Sequence, residues 1–428
     1  MNINSLYQRF RECNSTIDID SRSISQGSMF FAINGKNFDG NKFAIEAINN
    51  GAKIAVVDSN DINFDNYDNI IKVNDSLKTL QDLALFHRKK MRSKILAITG
   101  SNGKTTTKQL IDSVLSISYK TISTVGNFNN HIGVPLSLLK IKEDTEFSVI
   151  ELGANNFGEI DFLSKIVQPD YGYITNFGKA HLEGFKNIKG VIEGKTELYK
   201  WLVENNKTLI LNYNDPEQLK FKSSNHFSFG SKSNSKYIFK IIESENIIVK
   251  CNGVVYESNL YGNYNFSNVC SAITIGLEFN IDAKLIQEKL KNYSSKNNRS
   301  EIVKIKNKNV ILDAYNANPT SVESAIQSLI KNKGTKALVL GDMFELGEHS
   351  AIEHKKIISM AEELNIDRCV FIGEEFFKVK QDSSKNIFFK TKEDFYELGD
   401  MINEENILIK GSRGMKMEDV LKNNMIWK

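Results

Sequence analysis

Short apolar runs separated by Gly, Asn and Asp mark the first stretch of the chain. Residues 29–32, 54–57 and 70–73 each read as a strand. A run at 95–98, Ile-Leu-Ala-Ile, follows, and a glycine-containing loop comes directly after it. Beyond the loop, Leu110, Ile111, Val114 and Leu115 recur at the spacing of a helix that lays one face on a sheet. Further strands are predicted at 147–150, 173–175 and 209–211, with helical stretches between them, which is the alternation of a mainly parallel sheet. After a polar stretch at 294–298 the alternation resumes, with strands predicted at 310–312, 337–340, 369–372 and 407–409.

This pattern predicts an α/β chain of three domains. A small mixed α/β domain occupies 1–90, a central P-loop domain built on a parallel sheet 91–297, and a smaller Rossmann-like domain 298–428. The length, 428 residues, agrees, because single cores cluster near roughly 100–150 residues. Hinges are expected near 88–94 and 294–298.

Charge removes some functions from consideration. Lys and Arg total 55 against 52 Asp and Glu, so the net charge is only +3, and no basic stripe with interleaved aromatics is present. Nucleic-acid binding is therefore not expected. No run approaches the roughly 20 apolar residues that span a bilayer, and the first eleven residues lack a signal peptide's apolar stretch. Cys13, Cys251, Cys270 and Cys369 show neither paired nor zinc-binding spacing and read as reduced thiols. The expectation is a cytoplasmic, soluble protein and, most simply, a monomer.

Thr99-Gly100-Ser101-Asn102-Gly103-Lys104-Thr105-Thr106 lies between the predicted strand and helix. Glycines let such a loop turn its backbone amides toward phosphate oxygens, and the helix N-terminus adds positive potential. Lys104 is placed to reach the β- and γ-phosphates, and the Thr105 hydroxyl to meet Mg²⁺. One position departs from the usual pattern: Ile98 stands where a glycine is expected. Glu151 directly follows one strand run and His181 follows another, so both are candidates for the carboxyl edge of the sheet, where open α/β folds bind ligands. With Thr105 they suit one or two divalent ions, although each taken alone also reads as an ordinary loop residue. Lys195 reads plainly as a helix-surface lysine. Its alternative is a carbamate, formed when a neutral amine captures carbon dioxide.

At this point the residues resemble the Mur ligase family, over nearly the whole chain. Asp20-Ser21-Arg22, Gly27, Phe30-Phe31-Ala32, Gly35 and Asp39-Gly40-Asn41 resemble its uridine-nucleotide-binding domain, although the family usually carries His at the position of Asn41. The segment Gly126-Asn127-Phe128-Asn129-Asn130-His131-Ile132-Gly133-Val134-Pro135 resembles the one that meets substrate and γ-phosphate. Gly262-Asn263-Tyr264-Asn265-Phe266-Ser267-Asn268 resembles an adenine-reading block in which Tyr264 replaces a His. Asp313-Ala314-Tyr315-Asn316-Ala317-Asn318-Pro319, Leu340-Gly341-Asp342-Met343-Phe344-Glu345-Leu346-Gly347 and Lys410-Gly411-Ser412-Arg413 resemble the branch that adds D-alanyl-D-alanine.

The resemblance implies an ATP-dependent amide ligase acting on a UDP-muramoyl-tripeptide and D-alanyl-D-alanine. It implies nucleotide contacts from Gly100, Ser101, Asn102, Gly103, Lys104, Thr105, Thr106, Asn268, Arg299 and Asp313. The uridine-linked substrate would meet Ser21, Arg22, Gly40, Asn41, Asn127, Asn129 and Asn130. Two Mg²⁺ ions would be held by Thr105, Glu151, His181 and a carbamylated Lys195 (N6-carboxylysine). The catalytic set would be Lys104, His181, Lys195, Arg299 and Lys410. Two other amide ligases of the same scaffold, a folylpolyglutamate synthase and a diaminopimelate-adding enzyme, remain open alternatives, as does a nucleotide-switch protein. His354 either serves the site or packs locally, and Tyr315 and Asn316 either line the site or shape a turn before Pro319.

Overall fold

The computed structural model describes residues 2–427 except 36–37, 65–66, 223–224, 296–297, 382, 398–401 and 424–426. Two residues of the second expected hinge, Lys296 and Asn297, thus lie outside the described residues, as does the end of the expected central domain.

Three parallel-rich sheets succeed one another along the chain. The first pairs Ile17–Asp18, Met29–Phe31, Ile54–Val57 and Ile70–Lys72, all parallel. Helix Ser76–Lys90 leads from it to the second. Asp75 caps that helix through the Lys78 amide, and four basic residues crowd its last turn, where the helix dipole favours them.

The second sheet has seven strands, and every pair in it is parallel. Lys94–Thr99 is its pivot, with Phe147–Glu151 on one side and Tyr171–Ile174 on the other. The chain builds outward on one side to Thr121–Ser123, then crosses to the other to add Thr208–Asn212, His226–Gly230 and Tyr237–Ile238. Such a reversal opens a crevice at the carboxyl ends of the strands. Leu110, Ile111, Val114 and Leu115 of helix Lys104–Leu115 are fully buried against this sheet, as the spacing predicts. The strand expected at 173–175 instead starts at Tyr171. Gly172 hides the strand in the sequence, yet its bare backbone is required: a Cβ there would lie 2.3 Å from Leu202 Cδ1. The antiparallel sheet of Lys240–Ile242, Asn246–Cys251 and Val254–Tyr261 was not among the predicted elements.

The third sheet is ordered Glu301–Ile305, Lys308–Asp313, Asn406–Lys410, Lys336–Gly341, Arg368–Ile372, Asn386–Phe389, parallel except for the first pair. In it Asp313 and Lys410 stand directly opposite at the carboxyl ends of adjacent strands.

The link at 88–94 is tied down rather than free. The Arg88 guanidinium donates to Val167 O at 3.0 Å, Ser93 O at 3.1 Å, Gln168 O at 3.0 Å and Asp170 Oδ2 at 2.9 Å. Beside it, His87 bridges the first two units, with its ring nitrogens 3.1 Å from the Tyr7 hydroxyl and 2.8 Å from Ile141 O. The four cysteines are free and buried. Among the described residues, no helix is long and apolar enough to cross a membrane.

Burial pushes the His87 imidazole down from its ordinary value. The unfolded chain therefore takes up a proton first as pH falls below about 6.5, and stability is lost from there toward the lower folded value. His87→Leu, which strands the Tyr7 hydroxyl and the Ile141 carbonyl, is expected to cost about 1–3 kcal/mol at pH 7. It should also flatten the decline between pH 7 and pH 5, read as melting temperature against pH.

Candidate active site

The crevice at the carboxyl edge of the central sheet is closed over by the third unit, leaving a cleft of about 660 Å³. Residues 101–106, Glu151 and His181 line it from the central sheet, and Arg299, Asp313, Tyr315, Asn316 and Lys410 from the third unit. Asn127, Asn129, Asn130 and Asn268 line it as well. Ser21, Arg22, Gly40 and Asn41 are not part of this lining.

The glycine loop is shaped by its fit to residues 175–178. Gly100 has φ +138, and a Cβ on it would lie 2.0 Å from Thr175 Oγ1. The Ser101 amide donates to Asn176 O at 3.1 Å and that of Asn102 to Asn176 Oδ1 at 3.0 Å. These two amides, expected to face phosphate, are thus committed to protein. Groups at the helix start from Gly103 onward are those that an α-helix leaves without an internal partner. Gly103, at φ +78, lets the loop pass close to Asn268, whose Oδ1 would sit 2.7 Å from an added Cβ. Lys104 folds back, donating to Gly100 O at 2.7 Å and Ser101 O at 3.1 Å. Burial pushes its amine down from the ordinary lysine value.

Glu151 is the last residue of its strand, in register with Ile98. Its carboxylate accepts from Thr105 Oγ1 at 2.9 Å and from Asn129 Nδ2 at 2.8 Å. A third neighbour went unnoticed in the sequence. Lys108, one helical turn beyond Lys104, is buried with its Nζ 3.6 Å from Glu151 Oε2 and 2.5 Å from Thr124 O. The signal was present, since residues three and four apart share a helix face, but a lysine in a helix is read first as surface.

Lys195 departs from its plain reading. It is fully buried rather than on the surface, donates to Ala154 O at 2.9 Å and sits 5.1 Å from the Phe185 ring centre. Burial, with the Lys104 charge adding to it, drives its amine well below the usual lysine range. Lys195 does not itself line the cleft, whereas Ala154 does.

The third unit brings its own charges. Lys410 is buried, its Nζ 2.5 Å from Asp313 Oδ2 and 3.0 Å from Asn316 O. Its charge is therefore matched within the protein. The Arg299 guanidinium carbon lies over the Tyr315 ring, 3.4 Å from its centre. Tyr315 and Asn316 thus do line the site. His354 packs locally: its Nε2 accepts the Met343 amide at 3.1 Å, and Nδ1 lies 2.8 Å from Ser350 O. Tyr264, at the position of the family's His, donates to Ser300 Oγ at 2.8 Å, while Asn268 gives Nδ2 to Asn265 Oδ1 at 2.8 Å.

Elsewhere, Asn41 is buried and spends its amide internally. It accepts from the Asp58 amide at 2.9 Å and donates to Asp58 Oδ1 at 2.9 Å and Asp39 Oδ1 at 3.0 Å. Gly40 is backed against Ile33 O, 2.6 Å from an added Cβ, and Ser21 bonds Glu46 at 3.1 Å. Arg22 alone of this group presents an exposed head, paired with Asp20 at 2.7 Å. Asn130 Oδ1 accepts the Ile132 amide at 3.1 Å and the Gly133 amide at 2.9 Å, tying down the turn before helix Gly133–Leu138.

Three family models match: "Mur ligase family, catalytic domain" over residues 15–88, "Mur ligase middle domain" over 98–276 and "Mur ligase, glutamate ligase domain" over 298–413. The UDP-N-acetylmuramoyl-tripeptide--D-alanyl-D-alanine ligase of Bacillus subtilis is 32% identical over 418 residues, covering 94% of this chain and 91% of that one. Among solved structures, MurF from Acinetobacter baumannii superposes with a TM-score of 0.85 at 30% identity, over 96% of this chain and 93% of that one. MurF ligase from Thermotoga maritima in complex with ADP gives 0.83 at 27% identity, over 96% of each chain.

Gly100→Ala is expected to cost about 1–3 kcal/mol, the range for a strained backbone position. It should appear as a drop of several degrees in melting temperature, because Thr175 leaves no room for a methyl group.

Proposed function

The chain belongs to the Mur ligase family, and from that premise we propose that it is an ATP-dependent ligase. It joins D-alanyl-D-alanine to UDP-N-acetylmuramoyl-tripeptide, giving the pentapeptide precursor of peptidoglycan, ADP and phosphate. One observation carries the reading: a single cleft takes its lining from the glycine loop and Glu151 on one sheet and from Asp313 and Lys410 on another. We take the enzyme to be a cytoplasmic monomer.

A carboxylate acylates poorly because its leaving group would be oxide. Moving the γ-phosphoryl of ATP onto the tripeptide carboxylate makes an acyl phosphate, from which phosphate departs. This transfer needs alignment and charge neutralisation more than covalent help. Lys104 is the group that meets the β- and γ-phosphates, exchanging its loop carbonyls for phosphate oxygens. The D-alanyl-D-alanine amine then attacks the acyl carbon, and the tetrahedral intermediate collapses to the amide. Arg299 and Lys410 steady the negative charge, with Asp313 holding Lys410 in place. Asn268 and Asp313 orient the nucleoside, and closure of the third unit keeps water from the acyl phosphate.

Mg²⁺ fits the residues present. Thr105 and Glu151 offer hard oxygen donors 2.9 Å apart. Among the described residues, no group of three or more His, Cys, Asp or Glu is placed to hold an ion. That donor set suits an ion completed by phosphate and water oxygens. When bound, the metal neutralises phosphate charge; Thr105 would hold one ion, and Glu151, His181 and a carbamylated Lys195 a second. The buried, neutral-leaning amine of Lys195 is the form that captures carbon dioxide. Asn127, Asn129, Asn130 and the exposed Arg22 are the groups assigned to the uridine-linked substrate, with Ser21, Gly40 and Asn41 shaping the loops that meet it.

Lys104→Ala should lower ADP release that depends on both substrates by at least about 100-fold, the scale for loss of one transition-state charge partner. Undiminished turnover would reject the reading. Mass spectrometry of products from lysine- and diaminopimelate-containing tripeptides, with pterin and amino-acid controls, separates this activity from the other amide ligases of the fold. Lys195→Ala should be nearly inactive and partly rescued by added short carboxylic acids, whereas a fully active variant eliminates the carbamate.

A further inference from the structure

Tyr264, which stands where the family usually carries a His, reaches out of its own unit. It belongs to the block 262–268 of the central unit, and its hydroxyl donates at 2.8 Å to Oγ of Ser300, at the start of the third. Gly262 makes this approach possible. It sits at φ +84, and a Cβ on it would lie 2.5 Å from Tyr264 Cε1 and 3.0 Å from Ser328 Oγ of the third unit. Beyond Tyr264 the direction of the hydrogen bonds is fixed by chemistry. The Ser300 amide and hydroxyl both face Asp313 Oδ1, at 3.1 Å and 3.4 Å. A carboxylate only accepts, so the serine proton turns to Asp313 and the serine lone pair takes the proton of Tyr264. The other Asp313 oxygen holds Lys410.

Ser300 also closes a turn around Arg299. Asn298 at φ 58 and Ser300 at φ 54 both hold left-handed backbones, which non-glycine residues seldom adopt. Such conformations persist where surrounding contacts enforce them. On one flank the Tyr315 amide donates to Asn298 O at 3.0 Å; on the other, Asp313 and Tyr264 grip Ser300. Arg299, between the two, is thereby held over the Tyr315 ring in the cleft wall. The same block meets the opposite wall, since Asn268 Oδ1 accepts from Thr107 Oγ1 at 3.0 Å, on the helix behind the glycine loop.

We propose that Tyr264 is a positioning residue for the nucleotide, holding the Arg299 turn and Asp313, through Ser300, in a fixed relation to the block that carries Asn268. Its hydroxyl is spent on Ser300, so it acts on ATP through Arg299 and Asp313. The inference rests on the ligase reading of the cleft and deepens it, by tying the two walls that grip ATP to one hydrogen-bonded link.

Tyr264→Phe removes only the phenol oxygen. Ser300→Ala removes only the relay, because alanine bears the same left-handed backbone as serine. Binding of β,γ-imido-ATP with Mg²⁺, and separately of UDP-N-acetylmuramoyl-tripeptide, is measured by calorimetry on the full chain. Each variant should bind the ATP analogue about 3–10-fold more weakly, the scale of one hydrogen bond, with tripeptide affinity unchanged. The double variant should be no weaker than the weaker single one, since both break the same link. Melting temperatures check that all three fold. Analogue affinity unchanged in Tyr264→Phe, tripeptide binding weakened to the same degree, or two losses that multiply would each overturn the inference. A parent protein that binds the analogue yet releases no ADP with both substrates present rejects the ligase reading instead, and leaves the role of Tyr264 in nucleotide binding to be decided by the same titrations.

Discussion

Parallel pairing of Lys94–Thr99 with Phe147–Glu151 on one side and Tyr171–Ile174 on the other is the constraint on which the rest depends. Parallel strands end together, so the residues after each of the three are delivered to one edge. Register then decides which side chains meet there. Ile98 opposite Glu151 sets the carboxylate beside the glycine loop, and Thr99 opposite Ile174 brings residues 175–178 against Gly100. A shift of one residue in the first pairing would turn Glu151 to the other face of the sheet and pull it from Thr105, and one in the second would carry residues 175–178 from Gly100. The same logic operates in the third unit, where Asp313 and Lys410 are opposed across adjacent strands.

Much of this was legible from the chain. Period and run length located the pivot strand, the helix behind the loop and the strand that carries Glu151. They did so because these elements are buried on the sheet and therefore nearly uniformly apolar. The edge strands were harder. Thr121–Ser123 and Tyr237–Ile238 are too short for a pattern to repeat, and Gly172 broke the signal of a strand fully inside the sheet. Side chains whose meaning depends on long-range contact were least legible. Lys108 and Lys195 look like solvated lysines along the sequence, and only the fold shows both to be buried. Glu345 was visible within a motif, but nothing local indicates that it reaches His181, 164 positions earlier in the chain.

Asn41 shows the opposite failure. Its position in an apparent substrate-binding block invites a ligand contact, yet the side chain is consumed by Asp39, Asp58 and the Ser59 amide. Motif resemblance locates a loop without saying which of its residues face outward. Burial and hydrogen-bond satisfaction supply that distinction, since a buried amide that meets its own backbone has little capacity left for a ligand.

The cleft gathers several like charges within a small space, and the way it tolerates them bears on how it works. Lys104 rests on loop carbonyls, Lys410 on Asp313, Arg299 on the Tyr315 ring, and Lys108 beside Glu151. None is an unpaired buried charge, which would be strongly destabilising. Their partners differ in kind. The Asp313 carboxylate holds Lys410 in a direct ion pair, so Lys410 serves as a fixed part of the electrostatic field; Lys108 is buried and donates to Thr124 O, with Glu151 3.6 Å away. Lys104 and Arg299 rest on neutral partners, a backbone carbonyl and a ring face, which yield more easily to a phosphate oxygen. The division between fixed and exchangeable cations thus follows from the partners alone. It places the exchangeable pair on opposite walls of one cleft, Lys104 on the central unit and Arg299 on the third.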